Sequence, residues 1–159
     1  MSYLPTADFS DDQWQAFAEQ RCEELLPHLA EFFVDRFAYK PRFVHQHLWR
    51  SLTTVSARTT KYDIYVRMFN QPYAFWSREC LVMARIGFKE KRVGHGQALV
   101  ELFLALAPKL GYRFIAIESA NWQSSAFAKR LGFVSYENGE HWVGSVEAIA
   151  HALGSGLSR

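Results

Sequence analysis

Cysteine is scarce in this chain. There are two among 159 residues, and Cys22 and Cys80 stand in no metal-ligand or redox spacing. A disulfide framework is therefore not expected, nor a cysteine-ligated metal, and the pair reads as two reduced structural thiols. No apolar run approaches the roughly 18 residues of a membrane helix, and no secretory leader is recognisable, so a cytoplasmic location is expected by default. Net charge is low, +2 from 18 Lys/Arg and 16 Asp/Glu, which gives no ground for a nucleic-acid partner. Two phosphate-binding signatures are also missing, the three-glycine dinucleotide pattern and the Gly-Lys-Ser/Thr loop. No Ser-His-Asp arrangement points to a serine nucleophile. Disorder is excluded by an apolar fraction of 49% with 16% aromatics. A single domain over residues 1–159 is expected, large enough for a real core.

Against these absences, residues 86–99 stand out, Ile-Gly-Phe-Lys-Glu-Lys-Arg-Val-Gly-His-Gly-Gln-Ala-Leu. A strand-like stretch enters this run, a turn with two glycines follows, and a helix-like stretch leaves it. Backbone N–H groups at a helix start point outward, and the helix dipole favours an anion there. Gly94 and Gly96 let the backbone approach a ligand with no Cβ in the way. Lys89, Lys91 and Arg92 add positive charge. Residues 61–97 hold seven Lys/Arg and three Asp/Glu, whereas residues 1–60 hold six and eight, so the turn lies in the basic part of the chain. A phosphate-bearing ligand is implied.

The run resembles motif A of the GNAT superfamily of N-acetyltransferases. Ile86 takes the apolar strand position, Lys91 the place of the more usual Gln or Arg, Gly94 the first glycine and Gly96 the Gly/Ala position. Residues 121–133, Asn-Trp-Gln-Ser-Ser-Ala-Phe-Ala-Lys-Arg-Leu-Gly-Phe, resemble motif B of the same superfamily. Asn121 suits a turn or helix cap, and Gly132 a left-handed helix stop before Phe133. The resemblance covers residues 79–146. It implies a mixed α/β (α+β) GNAT-like single domain, a central mixed sheet flanked by helices, with acetyl-CoA as cosubstrate. The implied cofactor contacts are Ile86, Gly87, Phe88, Lys91, Arg92, Val93, Gly94, His95, Gly96, Gln97, Asn121 and Phe127. No metal is implied.

Along the chain, apolar periodicity predicts a helix over residues 11–37, with Ser10 as N-cap and a split or kink at Pro27. A strand or loose arm is expected over residues 1–8, and a second helix over residues 42–53. Strands are expected over residues 62–69 and 73–88, the latter single or in two pieces, and again over 113–119. The helix after the glycine turn should end or kink at Pro108 before Gly111. Residues 133–137 and 141–146 read as a hairpin through Asn138-Gly139. A short helix over 147–153 and a frayed tail complete the pattern. The helical N-terminal segment, residues 1–60, is where the acceptor would be read.

Acetyl transfer to an amine needs a proton acceptor, an oxyanion donor and a proton for the thiolate. The resemblance places the oxyanion donor on the backbone near Ile86 to Phe88. Glu118 is a strand-end carboxylate, either the base or one arm of an ion pair. The resemblance would put a thiolate-protonating Tyr seven residues after Asn121, where this chain has Ala128. Ser124 and Tyr136 are the nearest hydroxyls to replace it. His45 and His47, two apart on a helix, would diverge by about 200° and share no metal. Tyr136 and His141 on the last hairpin border the acceptor pocket or are ordinary sheet positions. The reading is an acetyl-CoA-dependent N-acetyltransferase of an unidentified primary amine, as monomer or homodimer. Two alternatives stand beside it: a non-catalytic CoA-binding regulatory module, and a toxin-like acetyltransferase of aminoacyl-tRNA.

Overall fold

The computed structural model describes residues 8–38, 44–48, 52–69, 76–90, 93–118, 122–136 and 139–157. The element order is α1 (Asp11–Phe37), β1 (Val44–Leu48), β2 (Leu52–Arg58), β3 (Tyr62–Phe69), β4 (Cys80–Phe88), α2 (His95–Leu110), β5 (Phe114–Ile117), α3 (Trp122–Arg130), β6 (Val134–Tyr136), β7 (His141–Ser145) and α4 (Val146–Leu157). The strands form one sheet in the order β1-β2-β3-β4-β5-β7-β6. Only β4 and β5 pair in parallel, through the crossover helix α2. β7 inserts between β5 and β6, antiparallel to both.

α1 begins where the sequence places it. Ser10 and Gln13 form a reciprocal capping box, with Asp11 and Asp12 in the positive first turn. Pro27 does not divide the helix. A proline removes the bond to the carbonyl four residues back, here Glu23, and both residues are exposed, so water can take that carbonyl. Pro108 likewise lies within α2, which closes on Gly111 in the left-handed region.

The expected helix over residues 42–53 is not formed. The described parts of this region are β1 and the start of β2, an antiparallel pair registered from Val44↔Ala57 to Leu48↔Thr53. Apolar residues four apart imitate a helix here. Val44, Val55 and Ala57 are instead buried in the core that also holds Leu29, Phe33 and Phe37 of α1. Phe33 stacks on Tyr62 of β3 at 4.0 Å. Among the described residues, no group of three His, Cys, Asp or Glu could hold a metal. α4 runs to Leu157, beyond the expected 153. Glycine weakens a helix interior by about 1 kcal/mol and does not forbid it.

All four helices cover one face. Tyr62, Ile64, Val66, Met68, Leu81, Met83, Ile115 and Ile117 line that face and join α1, α2, α3 and α4 in one core. Gly132, at φ +85°, ends α3 so tightly against α4 that a Cβ would lie 3.1 Å from the Ala148 carbonyl. The opposite face carries a smaller cluster of Phe69, Trp76, Cys80, Val82 and Ala116, with no helix over it among the described residues. Cys22 and Cys80 are buried and not joined in a disulfide, and burial pushes their thiols up to about 11 and about 12. No described helix is long and apolar enough to cross a membrane.

One buried charge joins α1 to α2. Arg21, 1% exposed, donates Nε to the Leu110 carbonyl at 2.7 Å, one terminal nitrogen to Arg78 O at 2.9 Å and the other to Gly111 O at 3.3 Å. Its guanidinium lies 4.4 Å from the Phe17 ring centre and 4.1 Å from that of Tyr112. Desolvation lowers the Arg21 pKa, and Tyr112 and Glu79 act against it. Leu110 and Gly111 are the carbonyl end of α2, so a cation meets the negative end of a dipole. Arg21→Lys keeps the charge but loses the three-way fork, and should cost about 1–3 kcal/mol in urea unfolding. Arg21→Ala should cost more, on the order of 3–5 kcal/mol, since it leaves buried carbonyls unpaired. Losses below about 0.5 kcal/mol in both would show that the lock is dispensable.

Candidate active site

The parallel pairing of β4 with β5 runs from Cys80↔Phe114 to Met83↔Ile117 and stops, with Glu118 N donating to Met83 O at 3.0 Å. β4 continues to Phe88, bonded only to β3. Residues 84–88 therefore present an edge with no described strand on the β5 side. The fork opens where β4 carries an extra residue, because Tyr65 pairs Arg85 and Val66 pairs Met83, leaving Ala84 between. Such a bulge turns backbone groups out of the ladder.

At the helix-covered mouth of the fork stands the start of α2. Gly94 is its N-cap at φ +86°, without a side-chain cap. Only glycine adopts this left-handed conformation at no cost. α2 has no acidic residue in its first turn, whereas α1 has two. Ala98 N returns to Gly94 O at 3.0 Å, so the amides of His95, Gly96 and Gln97 precede the first intrahelical bond. A Cβ on Gly96 would sit 3.2 Å from the Phe127 ring, so α3 borders the same turn. Phe127 is thus placed beside the glycine turn. Val93 is 51% exposed next to it. Ile86 and Phe88 pack against the helix-side core, and Gly87 pairs Asp63. Lys91, Arg92 and Asn121 lie outside the described residues.

The His95 side chain turns toward α1. Its ring centre is 4.6 Å from that of Phe37 and 5.3 Å from that of Phe88, and Arg36 Nε donates to its Nδ1 at 3.0 Å. Desolvation and the Arg36 charge lower the His95 pKa, which suits the unprotonated Nδ1 that this bond needs. Nothing in the sequence signals the Arg36–His95 contact, 59 residues apart.

Glu118 emerges from β5 at the crotch of the fork. Arg67 holds its Oε2 at 2.7 Å, and the Trp76 indole N–H reaches Oε1 at 3.2 Å. Its side chain is 16% exposed. Of the two readings of this carboxylate, the strand-end ion pair is present. Arg67 escaped sequence reading because only the β3–β4–β5 register brings it near. The two hydroxyl candidates are not brought together. Ser124 lies on α3, with the helices, and Tyr136 lies near Trp76 on the other face, the ring centres 6.3 Å apart. Ala128 is fully buried in the helix-side core. A tyrosine there would have to displace packed side chains.

No protein-family model matches the chain, and no curated protein does. Solved structures do match. The archaeal Methanocaldococcus infernus Elp3, lacking its first 46 residues, superposes with TM-score 0.51 at 9% identity over 71% of this chain. The match spans 33% of the Elp3 chain. Tetrahymena GCN5 matches with TM-score 0.43 at 12% identity, over 89% of this chain and 92% of its own. Ard1 from Thermoplasma volcanium matches with TM-score 0.37 at 19% identity, over 59% and 68%. The Elp3 match is a likeness of fold alone.

Two outcomes follow from this geometry. Ala128→Tyr should destabilise the protein by about 1–3 kcal/mol through overpacking and give no faster thioester turnover. Full stability of that variant would place residue 128 outside the core. Between the lowered native pKa of His95 and its ordinary value near 6.5, the unfolded chain holds a proton that the native one lacks. Stability contributed by His95 is therefore present above that window and lost on acidification through it. Urea midpoints at pH 7.5 and 5 should fall less in His95→Gln than in the wild-type chain. Equal falls would mean that the imidazole is not held neutral.

Proposed function

We propose that this protein transfers the acetyl group of acetyl-CoA to a primary amine. The observation that carries the reading is the fork between β4 and β5, opening beside the uncapped glycine start of α2. The residues present fit the cosubstrate. Its pyrophosphate matches the amides of residues 95–97, in a turn that a Cβ on Gly96 would crowd. Its arm carries amide groups, which complement the unpaired backbone edge of residues 84–88. The acetyl carbonyl would then lie near the bulge at Ala84, where a backbone N–H freed from the ladder is a preorganised oxyanion donor. The Ser124 hydroxyl on α3 or a water supplies the thiolate proton. A thiol is acidic enough for such a donor to help without being obligatory.

Calorimetry with acetyl-CoA tests the reading. Gly94→Ala places a Cβ in the left-handed region at a cost of roughly 1 kcal/mol, and Gly96→Val drives into the Phe127 ring. Both should weaken acetyl-CoA binding on the order of tenfold or more in chains that still unfold cooperatively. Folded variants with unchanged affinity would move the cosubstrate elsewhere. An inactive wild-type chain that binds acetyl-CoA tightly would favour the non-catalytic binding module.

A further inference from the structure

The helix-free face holds a cluster of acid–base groups at the same fork. The β5–β7 register, Ala116↔Val143 then Ile117↔Trp142, carried one step further sets Glu118 across from His141. The β6–β7 register pairs His141 with Tyr136. Directly paired residues share a face, so Glu118, His141 and Tyr136 make a row across three strands. Trp76 touches all three. Its indole N–H meets Glu118 at 3.2 Å, and its ring centre is 5.9 Å from that of His141 and 6.3 Å from that of Tyr136. The glycine turn lies on the helix-covered face and this row on the other, with the fork joining them.

The two oxygens of Glu118 are taken, one by Arg67 and one by Trp76. Protonating it would discharge the ion pair with Arg67. Histidine is the side chain that ordinarily changes charge between about pH 5 and 8. We propose that the acceptor amine enters from the helix-free face and that His141 takes its proton. Glu118, fixed by Arg67, is a positioning residue that holds the Trp76 indole against which the His141 ring packs.

This inference rests on the acetyl-transfer reading. The ammonium gives one proton to an imidazole nitrogen of His141. The nitrogen lone pair forms the C–N bond to the acetyl carbon, and the C–S electron pair leaves with sulfur. The thiolate takes a proton from the Ser124 hydroxyl or a water, which the second N–H proton replaces, and the imidazolium returns its proton to water. Among the described residues, the charged and titratable groups facing His141 are Glu118 from β5, Tyr136 from β6 and Arg67 from β3 through Glu118.

Two measurements on the full chain test it. In NMR titrations with acetyl-CoA, the His141 ring signals should shift together with the Gly94 and Gly96 amides, while His28 and His151 stay. Shifts at the glycines without His141 overturn this inference and leave acetyl transfer standing. No shift at either place overturns both. Thiol release from acetyl-CoA, in water alone and with spermidine or glycylglycine, is then followed from pH 6 to 9. His141→Gln should lower kcat on the order of 100-fold at neutral pH, leave KM for acetyl-CoA unchanged, and recover rate toward pH 9 as the amine loses its own proton. A rate within threefold of wild type with the same pH profile overturns the assignment. Glu118→Gln should lower kcat less and keep the wild-type pH dependence, and a loss as large as that of His141→Gln with the same altered profile would assign the base to Glu118 instead.

Discussion

The buried guanidinium of Arg21 is the constraint on which the site depends. A charge 1% exposed holds its place only when its donors are met, and here three backbone carbonyls meet them. Two belong to the last turn of α2 and one to the segment that enters β4. The contact therefore fixes α1, α2 and the entry to β4 with one group. It also engages the negative end of the α2 dipole with a permanent cation. The positive end of the same helix, at Gly94, carries no acidic residue and no side-chain cap. The two ends of α2 thus differ: one is closed inside the protein by a cation, and the other begins at a glycine without a side-chain cap.

The sheet divides the site in two. With every described helix on one face, α2 and α3 meet at that face beside Gly96 and Phe127. The other face is left to strand side chains, which place Arg67, Glu118 and Trp76 in contact. A continuous sheet would separate these halves. The parting of β4 from β5 after Met83, with the bulge at Ala84, makes a passage between them.

Much of this was legible in the chain. The strand, glycine turn and helix of residues 86–99 can be read directly, because positive-φ glycines and helix starts leave local marks. So do Ser10 at the start of α1, Gly132 after α3 and the Asn138-Gly139 turn, whose Gly139 has φ +88°. The hairpin of β1 and β2 was not legible. Val44, Leu48 and Leu52 are spaced as on a helix, and the preference for strands comes from the edge of β3 and the underside of α1, neither of which is local. Proline was misleading for a related reason. Pro27 and Pro108 mark weak points, but exposed carbonyls and flanking packing carry both helices through them.

The sequence by itself determined the glycine turn at Gly94 and the helices α2 and α3 that border it. Those features rest on backbone conformation and near-neighbour spacing, which a linear chain encodes residue by residue. The tertiary structure alone decided which way Glu118 is spent, that Ala128 is buried core and that Ser124 and Tyr136 stand on opposite faces. It also decided that Glu118 and His141 both meet Trp76 on the helix-free face. These are consequences of strand register and of the side of the sheet on which each helix packs. A shift of one residue in register would exchange the two faces, and nothing local in the sequence reports it.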